Sequence, residues 1–392
     1  MSAKPSPPHP ALPFTVERMI SEIESHDAPK TQAQSLIALA ALSLRVKLDE
    51  SFLRVVEPIV DVLEKKTTTT NADDDDDDDF EGVTAAAFAA LSCFLGNVER
   101  AHEEMLREEK RGVKVVVKAI EKAMEERKRV NTVNGLDCLA WTCRDKECAS
   151  FAMALEEGGK KIVEEARKMC ELEYVKERYF GESSASDSKN NSEANNSSKN
   201  DGKEEEEKEG EKEEETKRLH YRRQEDAVQP KQIAAGAFEL FLALSVSEAE
   251  KITTEHDGLE VFASAIKRVG GGDNGAAADV FTKDEEAKIL AHFKSEGHPN
   301  PAEELERLRQ HETNEVASRA LVGISCCCKF PGTALKLCSD EIAVRKIATL
   351  MTSSDPNVKQ QALALFTAIA RAPECKPLVE KALRGARDVA SV

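Results

Sequence analysis

Ser354-Asp355-Pro356-Asn357-Val358-Lys359-Gln360-Gln361-Ala362-Leu363-Ala364-Leu365-Phe366-Thr367-Ala368-Ile369-Ala370 is the stretch that decides the fold. Aspartate is a good helix N-cap, and proline fits the first helical position, where its missing N–H costs nothing. Val358, Ala362, Phe366 and Ile369 follow at spacings of four, four and three, which places them on one face of an α-helix. With Phe366 as the reference, the same helix recurs upstream. Val316, Ala320, Ile324 and Cys328 repeat it, as do Ile233, Ala237, Phe241 and Leu244, and Val83, Ala87, Leu91 and Leu95. Shorter copies run through Ala38, Leu42 and Val46, and through Leu136, Leu139 and Cys143.

The reference positions Leu42, Leu91, Leu139, Phe241, Ile324 and Phe366 are separated by 49, 48, 102, 83 and 42 residues. The two long intervals each contain a tract of a different character, residues 182–227 and about 270–310. Without those tracts the period is about 40–50, the range of stacked helical repeats. A second pattern follows several copies. Arg111-Gly112-Val113 leads into Val115, Val116, Val117 and Ile120; Gly158-Gly159-Lys160 into Ile162 and Val163; Asp257-Gly258-Leu259 into Val261, Phe262 and Ile266.

On these residues the chain resembles the armadillo/HEAT family of helical repeats. The C-terminal unit, from Ser354-Asp355-Pro356 through Glu374-Cys375-Lys376-Pro377-Leu378-Val379, carries the resemblance best. It implies an all-α, right-handed α-solenoid of about six armadillo-like repeats whose groove takes an extended peptide or a partner protein. A single hairpin of this size cannot bury its apolar face, whereas stacked neighbours share a continuous core.

Composition agrees with helices: aromatic residues are only 5% of the 392. The net charge of −18 is concentrated. Asp73 to Asp79 supplies seven negative charges, and residues 182–226, with 15 acidic and 9 basic side chains, a further six, so about −5 is left for the rest. The organisation expected is therefore a disordered Pro-rich arm at 1–13 and repeats 1–3 over 14–181, with a disordered Asp-rich loop at 66–80. A disordered Ser/Asn/Glu/Lys-rich insertion follows at 182–227, then repeats 4–6 over 228–392, with a flexible insertion at about 270–310. A near-neutral ordered surface argues against non-specific nucleic-acid binding, which needs a basic stripe. No stretch has the length and apolarity of a membrane span, and no secretory h-region is present, so a cytoplasmic or nuclear location is expected.

Among armadillo proteins, importin alpha presents a ladder of Trp, each followed four residues later by Asn. The Trp-equivalent positions here are Leu44, Cys93, Trp141, Ala243, Cys326 and Ala368. The Asn-equivalents are Leu48, Asn97, Asp145, Ser247, Phe330 and Ala372. One of each type stands in place, in different repeats, so recognition of basic signals is not expected. One residue before the Asn-equivalents stand Lys47, Gly96, Arg144, Val246, Lys329 and Arg371, four of them basic. Either these cations line one wall of a groove for an acidic peptide, or they complement the C-terminal macrodipoles of their helices. Lys47, Asn97, Trp141, Arg144, Lys329 and Arg371 are the candidate partner-binding residues.

Other features read as structural. Cys326-Cys327-Cys328 with Cys338 lacks the paired spacing of a zinc site, since adjacent helical residues diverge by about 100°. The other cysteines, Cys93, Cys138, Cys143 and Cys170 among them, fall in apolar helical patterns. Lys217-Arg218-Leu219-His220-Tyr221-Arg222-Arg223 is either a nuclear signal or a neutralising neighbour of the Glu-rich run. No phosphate loop, nucleophile elbow or His-Glu-x-x-His motif occurs, and no metal, cofactor or catalytic residue is expected. The sequence thus points to a monomeric, non-catalytic scaffold that binds other proteins. The alternatives are an Hsp70- or Hsp90-linked co-chaperone and a nucleic-acid- or chromatin-associated solenoid.

Overall fold

In a computed structural model of the chain, residues 12–25, 29–45, 50–68, 77–98, 100–155, 158–181, 223–269, 281, 283–330 and 332–390 are described. Every regular element among them is helical. The chain divides into two compact units, residues 1–247 and 248–392.

The first unit holds α1 (Leu12–Glu24), α2 (Pro29–Arg45), a 3₁₀ turn (Glu50–Val55), α3 (Val56–Thr68), α4 (Asp77–Asn97), α5 (Ala101–Glu125) and α6 (Arg129–Thr142). It continues with α7 (Lys146–Ala154), α8 (Gly159–Met169), α9 (Leu172–Phe180) and α10 (Pro230–Ser247). The four helices that carry reference residues stack in chain order: α2 packs on α4, α4 on α6, and α6 on α10. A second file runs beside them, α1 on α3, α3 on α5, and α5 on α8. The two files meet through α1 and α2, α3 and α4, α5 and α6, and α8 and α10. The interior is the stripe read from the sequence. Val83, Ala87, Leu91 and Leu95 are buried, as are Leu136, Leu139 and Cys143, and Ile233, Ala237, Phe241 and Leu244. Val113, Val115, Val116, Val117, Ile120, Ile162 and Val163 face them from the second file.

The second unit contains α11 (Ala249–Glu255), α12 (Gly258–Arg268), α13 (Lys283–Ser295), α14 (Pro301–Cys327), α15 (Thr333–Ser339), α16 (Glu341–Leu350), α17 (Pro356–Ala370) and α18 (Lys376–Ala390). Here α14 packs on α17, while α12 packs on α16 and α16 on α18. The stretch that decided the fold behaves as its chemistry requires. Asp355 Oδ1 accepts from the backbone N–H groups of Asn357 (2.9 Å) and Val358 (3.0 Å), Pro356 opens α17, and Val358, Ala362, Phe366 and Ile369 are all buried.

A second cap makes a pH prediction. Asp340 accepts from Ala343 N–H at 3.0 Å to start α16, and from Lys267 Nζ of α12 at 2.8 Å. Partial burial alone would raise its pKa, but the hydrogen bonds from Lys267 and the helix N-terminus outweigh burial and hold the carboxyl below the ordinary value. A depressed folded-state pKa contributes stability that is complete above the unfolded-state pKa and is lost as pH falls through the folded value. Asp340→Asn keeps a capping side chain but removes the charge. It should cost about 0.5–1 kcal/mol at pH 7 and flatten the acid limb below about pH 4. Urea titrations at pH 7 and pH 3 measure both, and an unchanged pH dependence would refute the assignment.

In several places the structure differs from the sequence reading. Part of the expected loop at 66–80 is helical: residues 66–68 end α3 and 77–80 begin α4. Residues 69–76 lie outside the described set. The expected flexible insertion at about 270–310 carries α13 and the first turns of α14. Its Gly- and Asp-rich start hid a helix opened by Pro301 and laced by ion pairs of Arg307 with Glu303 and Glu304, and of Arg309 with Glu286 and Glu306. Because α14 is longer than one repeat helix, Val316 lies on its exposed part at 39% exposure, although the stripe placed it inside. At the N-terminus α1 begins at Leu12, inside the expected arm, and residues 1–11 are outside the described set.

The insertion at 182–227 is shorter than expected, and 182–222 lie outside the described residues. Residues 223–227 are helical, and Glu225 is built into the first unit. It accepts from the N–H groups of Arg129 and Val130, both at 2.9 Å, and so caps α6. The Arg129 guanidinium pairs with Glu225 and Asp226 and stacks 4.9 Å from the Phe180 ring. One arginine therefore holds the chain on both sides of the tract. The unit boundary also falls after Ser247 rather than at the insertion, because α10 packs on α6, α8 and α9.

Within α5 the backbone breaks at Arg107–Lys110, where Glu108, Glu109 and Lys110 hold left-handed conformations with φ of 47°, 57° and 66°. Each costs on the order of 1 kcal/mol for a non-glycine residue. Flanking contacts hold the break in place. Arg111 pairs with Asp61 and Glu64 of α3, and Lys110 pairs with Glu147 at 3.1 Å while lying over the Phe151 ring at 4.9 Å. Gly112 follows because a Cβ there would sit 2.9 Å from the Met105 backbone.

Candidate partner-binding surface

The described candidate residues sit at the C-terminal ends of the reference helices. In the first unit the structure brings three of them together. Gly96 lies against the Trp141 ring, its implied Cβ position 3.2 Å from the indole, and Asn97 is the exposed residue beside it. The Arg144 guanidinium stacks on the same ring, 3.4 Å from its centroid. The indole of α6 is thus covered by a neighbouring helix and by its own arginine, so it is not an open platform for an incoming lysine stem. Asn97 Nδ2 donates to Cys93 O at 2.8 Å, one turn back in its own helix. Arg144 stays exposed despite the stacking, its charge available at the helix end. Ser247 Oγ donates to Cys143 O at 2.8 Å and ties the end of α10, with exposed Val246, to the end of α6. Lys47 lies outside the described residues.

The second unit holds the other two candidates. Arg371 is the C-cap of α17, and Lys329 follows the C-cap of α14, so both exposed cations stand at the ends of adjacent packed helices. Sequence reading missed Lys359, exposed one turn into α17. The positions compared in each repeat all follow the reference residue, whereas Lys359 precedes Phe366 by two turns. Residues 356–371 contain no Asp or Glu, so the exposed face of α17 carries Lys359 and Arg371 with no carboxylate of its own. Beside them Leu363 is 41% exposed. In α14, Arg319 pairs with Glu315 at 3.1 Å.

The thiols are packed rather than poised. Cys138, Cys143 and Cys148 are buried, and burial drives their pKa values well above the ordinary thiol range. Burial likewise pushes Cys328 and Cys338 up to about 12. Thiols held protonated are poor nucleophiles and poor metal ligands. Cys326 and Cys327 are buried, and Cys328, placed on the apolar stripe by its spacing, is half-buried. Among the described residues no group of three His, Cys, Asp or Glu side chains is placed to hold a metal, and no single helix is long and apolar enough to cross a membrane. Of Lys217–Arg223, only Arg223 is described.

No protein-family model matches the chain, and no curated protein matches it. Two solved structures, both described as engineered proteins, are similar. One is 12% identical, with a TM-score of 0.44 over 91% of this chain and 99% of its own. The other is 16% identical, with a TM-score of 0.31 over 94% and 82%.

Proposed function

We propose that this chain is a non-catalytic protein-binding scaffold of armadillo-like repeats, arranged as a right-handed α-solenoid and engaging an acidic segment of a partner protein along its reference helices. Four such repeats belong to the first unit and two to the second, in keeping with the six reference positions. The observation that carries the reading is the acid-free exposed face of α17, which carries Lys359 and Arg371 and packs on α14, the helix that ends at Lys329. Dipole complementarity accounts for a cation at a helix end. It does not account for Lys359, near the N-terminal end of α17, where a positive charge is the disfavoured sign.

The test is fluorescence anisotropy with a labelled peptide of about twelve residues mixing Glu and Leu, against a peptide with Gln in place of Glu. Lys329→Glu with Arg371→Glu should weaken binding of the acidic peptide at least about fivefold, with the remaining affinity less sensitive to salt. The Gln peptide should bind weakly to both proteins. Equal affinity of the wild type for the two peptides, or no loss in the double variant, would remove the basis for an acidic ligand.

A further inference from the structure

The internal stacking of the reference helices follows one rule. Each helix presents the residues three before and one after its reference position to the next helix. Within the first unit the next helix receives it four or five residues before its own reference, at Gly135 and Gly236, and two after it, at Trp141. Phe88 of α4 lies beside Gly135 of α6, and Leu136 of α6 beside Gly236 of α10. The presenting pairs Leu39 and Ser43, Phe88 and Ser92, and Leu136 and Ala140 are buried. Between these positions Ala90, Cys138 and Leu240 of the first unit, and Leu365 of α17 on α14, are buried too.

The first and last reference helices break the rule in complementary ways. On α2 the presenting side is covered, but the receiving side is open: Ile37 is 59% exposed, Leu44 is 69% exposed and Ala41 between them is exposed. These three sit at i, i+4 and i+7, a single helical stripe. On α17 the receiving residue Leu365 is covered, but the presenting pair is open, Leu363 at 41% and Thr367 exposed. Leu363 occupies the position filled inside the first unit by Phe88 and Leu136.

Charge on the neighbouring helices matches as well. α1, which packs on α2, carries Glu17, Glu22 and Glu24 against Arg18, a net of −2. α18, which packs on α17, carries Lys376, Lys381 and Arg384 against Glu380 among its described side chains, a net of +2.

From these two open faces we infer that the chain associates head to tail with a second copy of itself, α17 of one copy seating Leu363 over Ala41 between Ile37 and Leu44 of the other. This departs from the monomer expected from sequence. The contact is heterologous, each copy using one face and leaving the other free, so it propagates or closes into a ring rather than stopping at a dimer.

Sedimentation velocity from about 1 to 200 μM, a range that covers micromolar affinities, tests it with Leu44→Glu and Leu363→Glu. Both residues are exposed, so both variants should keep the wild-type circular dichroism spectrum and melting temperature. The wild type should show an average mass that rises with concentration, and each variant alone should remain a monomer. An equimolar mixture of the two should form dimers and nothing larger, because only one good face of each kind survives. A wild type that stays monomeric throughout the range would overturn the inference. So would assembly that Leu44→Glu abolishes and Leu363→Glu leaves intact, which would mark a symmetric pairing of two α2 faces.

Discussion

Phe241→Ala is expected to remove about 3–5 kcal/mol from the first unit, the usual cost of deleting a buried aromatic side chain. Phe241 is fully buried at the reference position of α10, the helix that packs on α6, α8 and α9. Its loss leaves a cavity that three separate helices would have to move to close, and close packing resists that movement. The chain has one tryptophan, Trp141, and it lies in α6 against which α10 packs, so its fluorescence reports this unit. The urea midpoint should fall by about 2 M for a slope near 2 kcal/mol/M. Leu42→Ala provides the control. It alters the equivalent position of α2, where the side chain is only half-buried, and should cost about 1–2 kcal/mol. Equal losses at the two sites, or a loss below about 1 kcal/mol at Phe241, would show that the reference position does not mark the core.

The same comparison shows why the fold was legible. A helix that must bury one face against two neighbours repeats its apolar spacing at every turn, and Asp355-Pro356 marks its start by local chemistry alone. The stripe positions of α4, α6, α10 and α17 were readable for that reason. The helix at 283–295 was not, because its stability comes from packing on α14 and an ion pair with Arg309, and neither leaves a period in a Gly-rich neighbourhood. Glu225 escaped notice for a related reason. Its role as a cap for α6 depends on a residue 96 positions earlier, and composition placed it in a charged tract. The candidate surface was only partly visible. Counting two residues past each reference position located Trp141, but not that Arg144 would close over it. The exposed sides of α2 and α17 needed the packing of every other reference helix before their openness meant anything.

Gly323→Ala should destabilise the second unit by about 1–2 kcal/mol, although the same change in an exposed helix ordinarily stabilises by about 1 kcal/mol. Gly323 is buried in the interior of α14, and a Cβ there would stand 2.6 Å from Cγ, Cδ1 and Cε1 of the Phe262 ring. The ring cannot yield easily, because Phe262 is itself fully buried on α12, packed between α14 and α16. Either the ring is forced off its rotamer or α12 and α14 separate, and both exceed the gain in helix propensity. Phe262→Ala alone should cost about 3–5 kcal/mol through the cavity it leaves. In that background Gly323→Ala should change sign and stabilise, since the ring is gone and the new methyl fills part of the void. The resulting coupling, about 2–3 kcal/mol, is read from a double-mutant cycle followed by circular dichroism in urea. If Gly323→Ala stabilises the otherwise wild-type chain, α12 and α14 do not approach as closely as the interior glycine implies.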